Sequence, residues 1–77
     1  MRKYMKILQQ MQREYFGKMT VNVHITQCDD GDIVVSAFAM NGKEDSASVN
    51  LYGINEKEDR ENLNIFRKQV KELWRNR

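Results

Sequence analysis

The sequence predicts an α+β domain in the order α-β-β-β-α, in which a three-stranded antiparallel meander has two helices packed on one face. Three observations support this prediction. Apolar residues recur at helical spacing near both ends of the chain, and they alternate with polar residues in the middle. The dipeptides Asp30-Gly31 and Asn41-Gly42 favour tight turns and divide the middle into three strands. The length of 77 residues leaves room for a single domain, 1–77.

Both helices are predicted from an apolar stripe with a recognisable end. The first is expected over residues 3–16, because Gly17 follows it where a left-handed C-cap is needed. The last is expected over 56–75, and Asn55 with Glu58 has the spacing of a capping box. The first stripe consists of Tyr4, Ile7, Leu8, Met11 and Tyr15 with Met5 and Phe16 at its edge, and the last of Leu63, Phe66, Val70, Leu73 and Trp74.

The register of the strands, expected over 19–28, 33–40 and 46–52, follows from the turns. With two-residue turns, Phe38 lies opposite both Val23 and Asp45, and Val34 lies opposite Val49. A three-residue loop, Asp29-Asp30-Gly31 with glycine in the bulge position, would instead exchange the two faces of the middle strand. The two-residue turns place under the helices Val21, Val23, Ile25, Val34, Phe38, Met40, Ala47, Val49 and Leu51.

The opposite face of the sheet is expected to be half apolar and nearly uncharged, which is unusual for a surface that meets only water. In the register with two-residue turns it consists of Asn22, His24, Thr26, Cys28, Ile33, Val35, Ala37, Ala39, Ser46, Ser48, Asn50 and Tyr52. In either register its middle strand keeps apolar atoms. The predicted binding residues on this face are His24, Thr26, Ile33, Val35, Ala37, Ala39, Ser48, Asn50 and Tyr52.

The single histidine and the single cysteine do not form a catalytic pair. His24 and Cys28 are four residues apart on one strand, about 13 Å along it, whereas a catalytic pair needs contact at about 3 Å. The acidic residues that follow, Asp29 to Asp32, are expected to form the hairpin turn rather than a calcium loop, which needs ligands over about 12 residues. The sequence therefore predicts no catalytic residue, no metal and no cofactor.

Basic residues are concentrated at the start of the chain, where residues 1–18 hold five basic groups and one acidic group. They suit either phosphate contact or the solvated face of an amphipathic helix, and we favour the second interpretation. The candidate nucleic-acid contacts are Arg2, Lys3, Lys6, Arg13 and Lys18.

The short chain has few means of stabilising itself alone. One cysteine cannot form an internal disulfide, and one cysteine with one histidine cannot complete a structural zinc site. Association with another chain is therefore the expected supplement to a small core. The chain has no apolar run of about 20 residues and no export signal, so we expect a soluble cytoplasmic protein that does not enter membranes.

The order of elements resembles that of the double-stranded-RNA-binding domain over nearly the whole chain. That family implies RNA contacts from the first helix, from a histidine-bearing loop between the first two strands, and from lysines opening the last helix. Here the loop is Cys28-Asp29-Asp30-Gly31-Asp32 and the last helix opens Glu56-Lys57-Glu58-Asp59, so both positions are acidic. The chain also resembles small HicA-like toxins in having a histidine, His24, on the first strand, without their glycine-serine-histidine context.

Taken together, these features predict a small non-enzymatic interaction module that uses the open sheet face for self-association or protein binding. Nucleic-acid binding through the basic first helix is the alternative. A HicA-like nuclease that uses His24 is a distant third, and no small-molecule substrate is evident.

Overall fold

A computed structural model describes residues 2–42 and 45–75 of the chain. It confirms the predicted α+β class and the order of the elements. The strands form one antiparallel sheet in the order β1-β2-β3, and each predicted element is present to within two residues at either end. The elements are α1 (Arg2–Glu14), β1 (Thr20–Gln27), β2 (Ile33–Asn41), β3 (Asp45–Leu51) and α2 (Glu56–Arg75).

The ends of both helices follow local chemistry. Gly17 has a φ of 77°, the left-handed conformation expected for a residue that ends a helix. The α-helix stops at Glu14, and Phe16 is 86% exposed, so the expectation that Phe16 widens the apolar stripe is wrong. At the start of α2, the side-chain oxygen of Asn55 accepts a hydrogen bond from the Glu58 N–H at 3.1 Å, which satisfies one of the free donors of the first turn.

The loop between β1 and β2 has three residues, so the alternative register is confirmed and the two-residue turn is wrong. The Cys28 N–H donates to the Asp32 carbonyl at 2.8 Å, and the Gly31 N–H donates to the Cys28 carbonyl at 3.0 Å. Gly31 adopts a φ of 90°, which suits the bulge position. Asp30 stabilises the loop further, because its carboxylate accepts a hydrogen bond from the Asp32 N–H at 3.0 Å.

The second turn also differs from the prediction. Asn41 pairs with Asp45, so the connection has three residues, 42–44, instead of the expected two. Phe38 accordingly lies opposite Ser48 and not opposite Asp45. The Asn41 side chain is engaged elsewhere, since its amide donates a hydrogen bond to the Leu73 carbonyl of α2.

The new register exchanges the faces of β2. Val34, Phe38 and Met40, which were predicted under the helices, lie on the open face, since their partners in the register are open-face residues of β1 and β3. Ile25 lies on the helix side but near the sheet edge, where it is 53% exposed instead of buried. The core contains Tyr4, Leu8, Met11, Val35, Ala37, Ala39, Ala47, Val49, Leu51, Leu63, Phe66 and Val70.

The two helices lie side by side over the core and run in the same direction. At their starts, the Tyr4 hydroxyl donates to the Glu56 carbonyl at 3.4 Å, and at their ends the Tyr15 and Trp74 rings meet edge to face at 6.1 Å. The first helix packs mainly on β1 and the second on β3. Both helices therefore cover one face of the sheet and leave the other uncovered within the described residues.

Asp59 joins the sheet to α2 through a buried carboxylate. The side chain is 3% exposed, and its two oxygens accept hydrogen bonds from the Tyr52 N–H at 3.2 Å and the Gly53 N–H at 2.9 Å. A buried charged group is tolerated where hydrogen bonds satisfy it. Through these two hydrogen bonds, Asp59 of α2 holds the segment that connects β3 to α2.

We predict that Asp59→Ala lowers the free energy of unfolding by about 3 kcal/mol, because two backbone N–H groups lose their acceptor in a place with little water. Asp59→Asn should cost less, since one side-chain oxygen remains an acceptor. Urea unfolding followed by far-UV circular dichroism measures both. The control is Glu61→Ala, an exposed carboxylate of the same helix, and equal stability of the Asp59→Ala and Glu61→Ala variants would contradict the prediction.

Candidate functional site

The strongest candidate site is the sheet face that the helices leave uncovered, here called the open face. All its residues have even numbers, because side chains alternate along each strand and the two ladders join residues of equal parity. None of its side chains is charged, in a chain in which 31% of residues are charged. The open face consists of Thr20, Asn22, His24, Thr26, Val34, Ser36, Phe38, Met40, Ser46, Ser48 and Asn50.

Apolar side chains occupy the middle of the open face and polar ones its two sides. Val34, Phe38 and Met40 belong to the central strand and are half-buried by the strands on either side. Polar partners flank Phe38 directly, with Asn22 opposite on β1 and Ser48 opposite on β3. This arrangement of an apolar centre with an uncharged polar rim is the general anatomy of protein interfaces.

One hydrogen bond between side chains orders the polar part of the open face. The Ser36 hydroxyl donates to the Asn50 side-chain oxygen at 2.8 Å, across the β2–β3 ladder. His24 lies on the other side of Ser36, as its partner in the β1–β2 register. The imidazole therefore borders hydroxyl groups and not a carboxylate that could orient it as a base.

The predicted binding residues fall into two groups. His24, Thr26, Ser48 and Asn50 lie on the open face, and Tyr52 is half exposed just beyond β3. Three others are corrected by the three-residue loop, which turns them toward the helices: Val35, Ala37 and Ala39. They are core residues at 0%, 3% and 0% exposure and cannot contact a partner.

The register likewise moves Ile33 off the open face. Its partner in the ladder is Gln27, and both belong to the helix side of the sheet. Ile33 lies at the strand end and keeps 44% of its surface exposed. The predicted site lacked Val34, Phe38 and Met40 because it was based on two-residue turns; the alternative three-residue loop was expected to expose Phe38 and Met40.

His24 and Cys28 are both exposed, and neither side chain makes a hydrogen bond among the described residues. His24 lies within β1 and Cys28 directly follows its last residue, so the two are separated along the strand as their spacing predicted. In the described ranges 2–42 and 45–75, no three His, Cys, Asp or Glu side chains are grouped as they would be to hold a metal ion. Among the described residues, no hydrogen bond joins His24 to the hydroxyl of its cross-strand partner Ser36 or to the Cys28 thiol.

Of the five candidate nucleic-acid contacts, Lys3 and Lys18 make surface contacts within the chain. The Lys3 ammonium lies 3.7 Å from a Glu56 carboxylate oxygen and 5.5 Å from the Tyr4 ring centre, and the Lys18 ammonium lies 5.7 Å from the Trp74 ring centre. These are weak surface contacts. Arg2, Lys6 and Arg13 are exposed.

An open hollow of about 770 Å³ lies between the end of α1 and the start of β1. Phe16, Met19 and Val21 contribute apolar walls, and Arg13 contributes a charge. Gln12 crosses the hollow, and its side-chain amide donates to the Val21 carbonyl at 3.0 Å. The hollow is open to solvent and is not an enclosed ligand pocket.

No protein-family model matches the chain, and neither a curated protein nor a solved structure is detectably similar to it. Neither helix in the described part of the chain has an apolar stretch long enough to cross a membrane. The geometry of the surfaces is therefore the basis for a functional hypothesis.

Proposed function

We propose that this protein is a small non-enzymatic interaction module that associates with a second copy of itself through the open face. One observation supports this above all others. The open face lacks charge entirely and holds Phe38 and Met40 on its central strand, while the helices outside the core are densely charged. A surface of that kind gains free energy when another uncharged surface removes it from water.

A second copy is the occupant that best fits this surface. In a twofold dimer the same patch meets itself, so an uncharged patch encounters no like-charge repulsion. Hydroxyl and amide groups can both donate and accept hydrogen bonds, so each rim group can pair with the same group of the second copy. Charged side chains at the same positions would have opposed this contact.

The size of the open face predicts a weak dimer. Three strands about 4.8 Å apart and about eight residues long, at about 3.3 Å each, give a face of roughly 380 Å² per copy. Two copies would cover about 760 Å², which is below the roughly 1,200–2,000 Å² that stable interfaces bury. The dimer should therefore depend strongly on concentration.

We predict that Phe38→Glu weakens self-association at least about tenfold, because it places a charge at the centre of the apolar strip and opposite its own copy. Sedimentation equilibrium from about 10 µM to about 1 mM measures the change. The matched control is Ile54→Glu, since Ile54 is 83% exposed and lies outside the open face. A wild-type monomer throughout this range, or equal effects of both variants, would contradict the proposal.

Nucleic-acid binding through α1 is the second candidate. Its support is the order of elements, which is compatible with a double-stranded-RNA-binding-domain-like topology, and the exposed Arg2, Lys6 and Arg13. The acidic loop around Asp30 and the acidic start of α2 at Glu56 would repel phosphates. A nuclease that uses His24, by likeness to HicA-like toxins, is the third candidate and has only that residue in its favour.

The second candidate predicts that Lys6→Glu with Arg13→Glu abolishes binding to double-stranded RNA at low salt, because two phosphate-neutralising charges become repulsive. Gel-shift titrations at about 50 mM and about 200 mM salt measure this. Lys68→Glu on α2 is the control, as an exposed lysine away from α1. Absence of binding by the wild type at the lower salt would eliminate this candidate.

The exposed thiol of Cys28 is typical of a protein kept in a reducing compartment, and the cytoplasm is the proposed location.

A further inference from the structure

Strand β1 lies at one edge of the sheet, and the register shows which of its backbone groups face outward. The Cys28 N–H donates to Asp32, so the even-numbered residues of β1 hydrogen-bond to β2. The odd-numbered residues must then point their N–H and C=O groups away from the sheet. The Gln12 amide on the outward Val21 carbonyl, at 3.0 Å, agrees with this assignment.

Beyond Val21 the outward groups of β1 have no partner. Val23, Ile25 and Gln27 make no backbone hydrogen bond on this side among the described residues. These three positions are evenly spaced about Ile25, which is itself 53% exposed. The edge therefore presents a short, symmetric row of unpaired donors and acceptors around one exposed apolar side chain.

Nothing along β1 protects this edge from pairing with another strand. The segment Thr20–Gln27 contains no charge and no proline, which are the usual means of blocking an edge. The other edge strand is better covered, since β3 begins with Asp45 and lies beside Ile65 and Gln69 of α2. Of the two edges, β1 is the one open to strand addition.

We propose that β1 pairs antiparallel with β1 of a second copy, with the two Ile25 residues opposite each other, so that the two three-stranded sheets join into one continuous sheet. Val23 then lies opposite Gln27 of the other copy. Each of these pairs exchanges two hydrogen bonds. The pairing satisfies every unpaired outward group of Val23, Ile25 and Gln27, and it covers the exposed Ile25 side chains.

Charge at the two ends of β1 favours a second copy over an unrelated extended segment. Arg13 lines the hollow beside Thr20 and Val21 at the start of the strand, whereas Asp29 and Asp30 follow its end. Antiparallel pairing centred on Ile25 brings the end of β1 in one copy, with the loop that holds Asp29 and Asp30, beside the start of β1 in the other. The acidic loop of each copy thus meets the Arg13 end of the other, twice by symmetry, whereas a parallel pair would place like charges together.

This contact uses a different surface from the proposed stacking of open faces, and either can exist without the other. Edge pairing leaves both open faces uncovered and brings them side by side in one sheet. The two associations can be separated because the first depends on the β1 backbone and the second on Phe38.

The chain's own cysteine provides a test of the register. Antiparallel pairing centred on Ile25 places residue 22 opposite residue 28 in a pair without mutual hydrogen bonds, with Cα atoms about 4.5 Å apart, within the range for a disulfide. Asn22→Cys should therefore form a covalent dimer with Cys28 of the other copy under oxidised glutathione. Within one copy these positions are six residues apart along the strand, about 20 Å, and cannot bond.

Three control variants make the outcome specific. Asn22→Cys with Cys28→Ser should give no covalent dimer, because residue 22 of one copy is about 20 Å from residue 22 of the other. Thr20→Cys and His24→Cys, each with Cys28 retained, are displaced by two residues and should cross-link at least about fivefold more slowly, since their Cα atoms lie about 7 Å or more from Cys28. Non-reducing gel electrophoresis over time measures the rates.

Edge pairing is supported if Asn22→Cys cross-links fastest of the three variants and still does so when Phe38→Glu is added. This result would hold even if the open-face dimer does not form. Absence of cross-linking at all three positions, with circular dichroism showing folded variants, overturns the edge proposal. Fastest cross-linking at Thr20→Cys or His24→Cys overturns the register centred on Ile25. Loss of the Asn22→Cys product on adding Phe38→Glu would show that association depends on the open face and would also overturn the independent edge contact.

Discussion

The hydrogen bond from the Cys28 N–H to the Asp32 carbonyl, at 2.8 Å, closes the loop on which the rest of the sheet depends. Because strand side chains alternate, a loop with one residue more reverses every assignment on β2. The observed closure sends Ala37 and Ala39 toward the helices and Phe38 toward the open face. The faces of β2 and the outward groups of β1 follow from this closure, and the pairing of Asn41 with Asp45 then keeps Ala47, Val49 and Leu51 in the core.

Packing against the helices is consistent with the register that the loop sets. Phe66 and Leu8 are fully buried large side chains on the helices, and they face a sheet surface in which Ala37 and Ala39 leave space. Large residues at those two sheet positions would compete with them for the same volume, and overpacked cores lose stability. The buried carboxylate of Asp59 then holds α2 against the end of β3.

Periodicity was sufficient to predict the type, order and approximate bounds of the elements, but not the faces of β2. Its sequence, IVVSAFAMN, has apolar residues at both odd and even positions, so alternation cannot assign a side. The faces of β2 therefore depend on the length of the preceding turn, and Asp30-Gly31 is compatible with loops of two and of three residues. As a result, the polar residues of the site on β1 and β3 were predicted directly, whereas Phe38 and Met40 were expected on the open face only with the alternative three-residue loop.

With so modest a core, the proposed self-association would have a thermodynamic role beyond recognition. Of the twelve buried hydrophobic residues among those described, Ala37, Ala39 and Ala47 contribute little apolar area. A partner that binds only the folded chain stabilises it in proportion to the logarithm of its concentration over the dissociation constant. In the proposals above, the uncharged open face and the β1 edge would each allow such a contact, and the opposite charges at the two ends of β1 would favour the antiparallel orientation of the edge pair. In this scheme the charges at the ends of β1 set the orientation of the pair, and the apolar area that is buried sets its affinity.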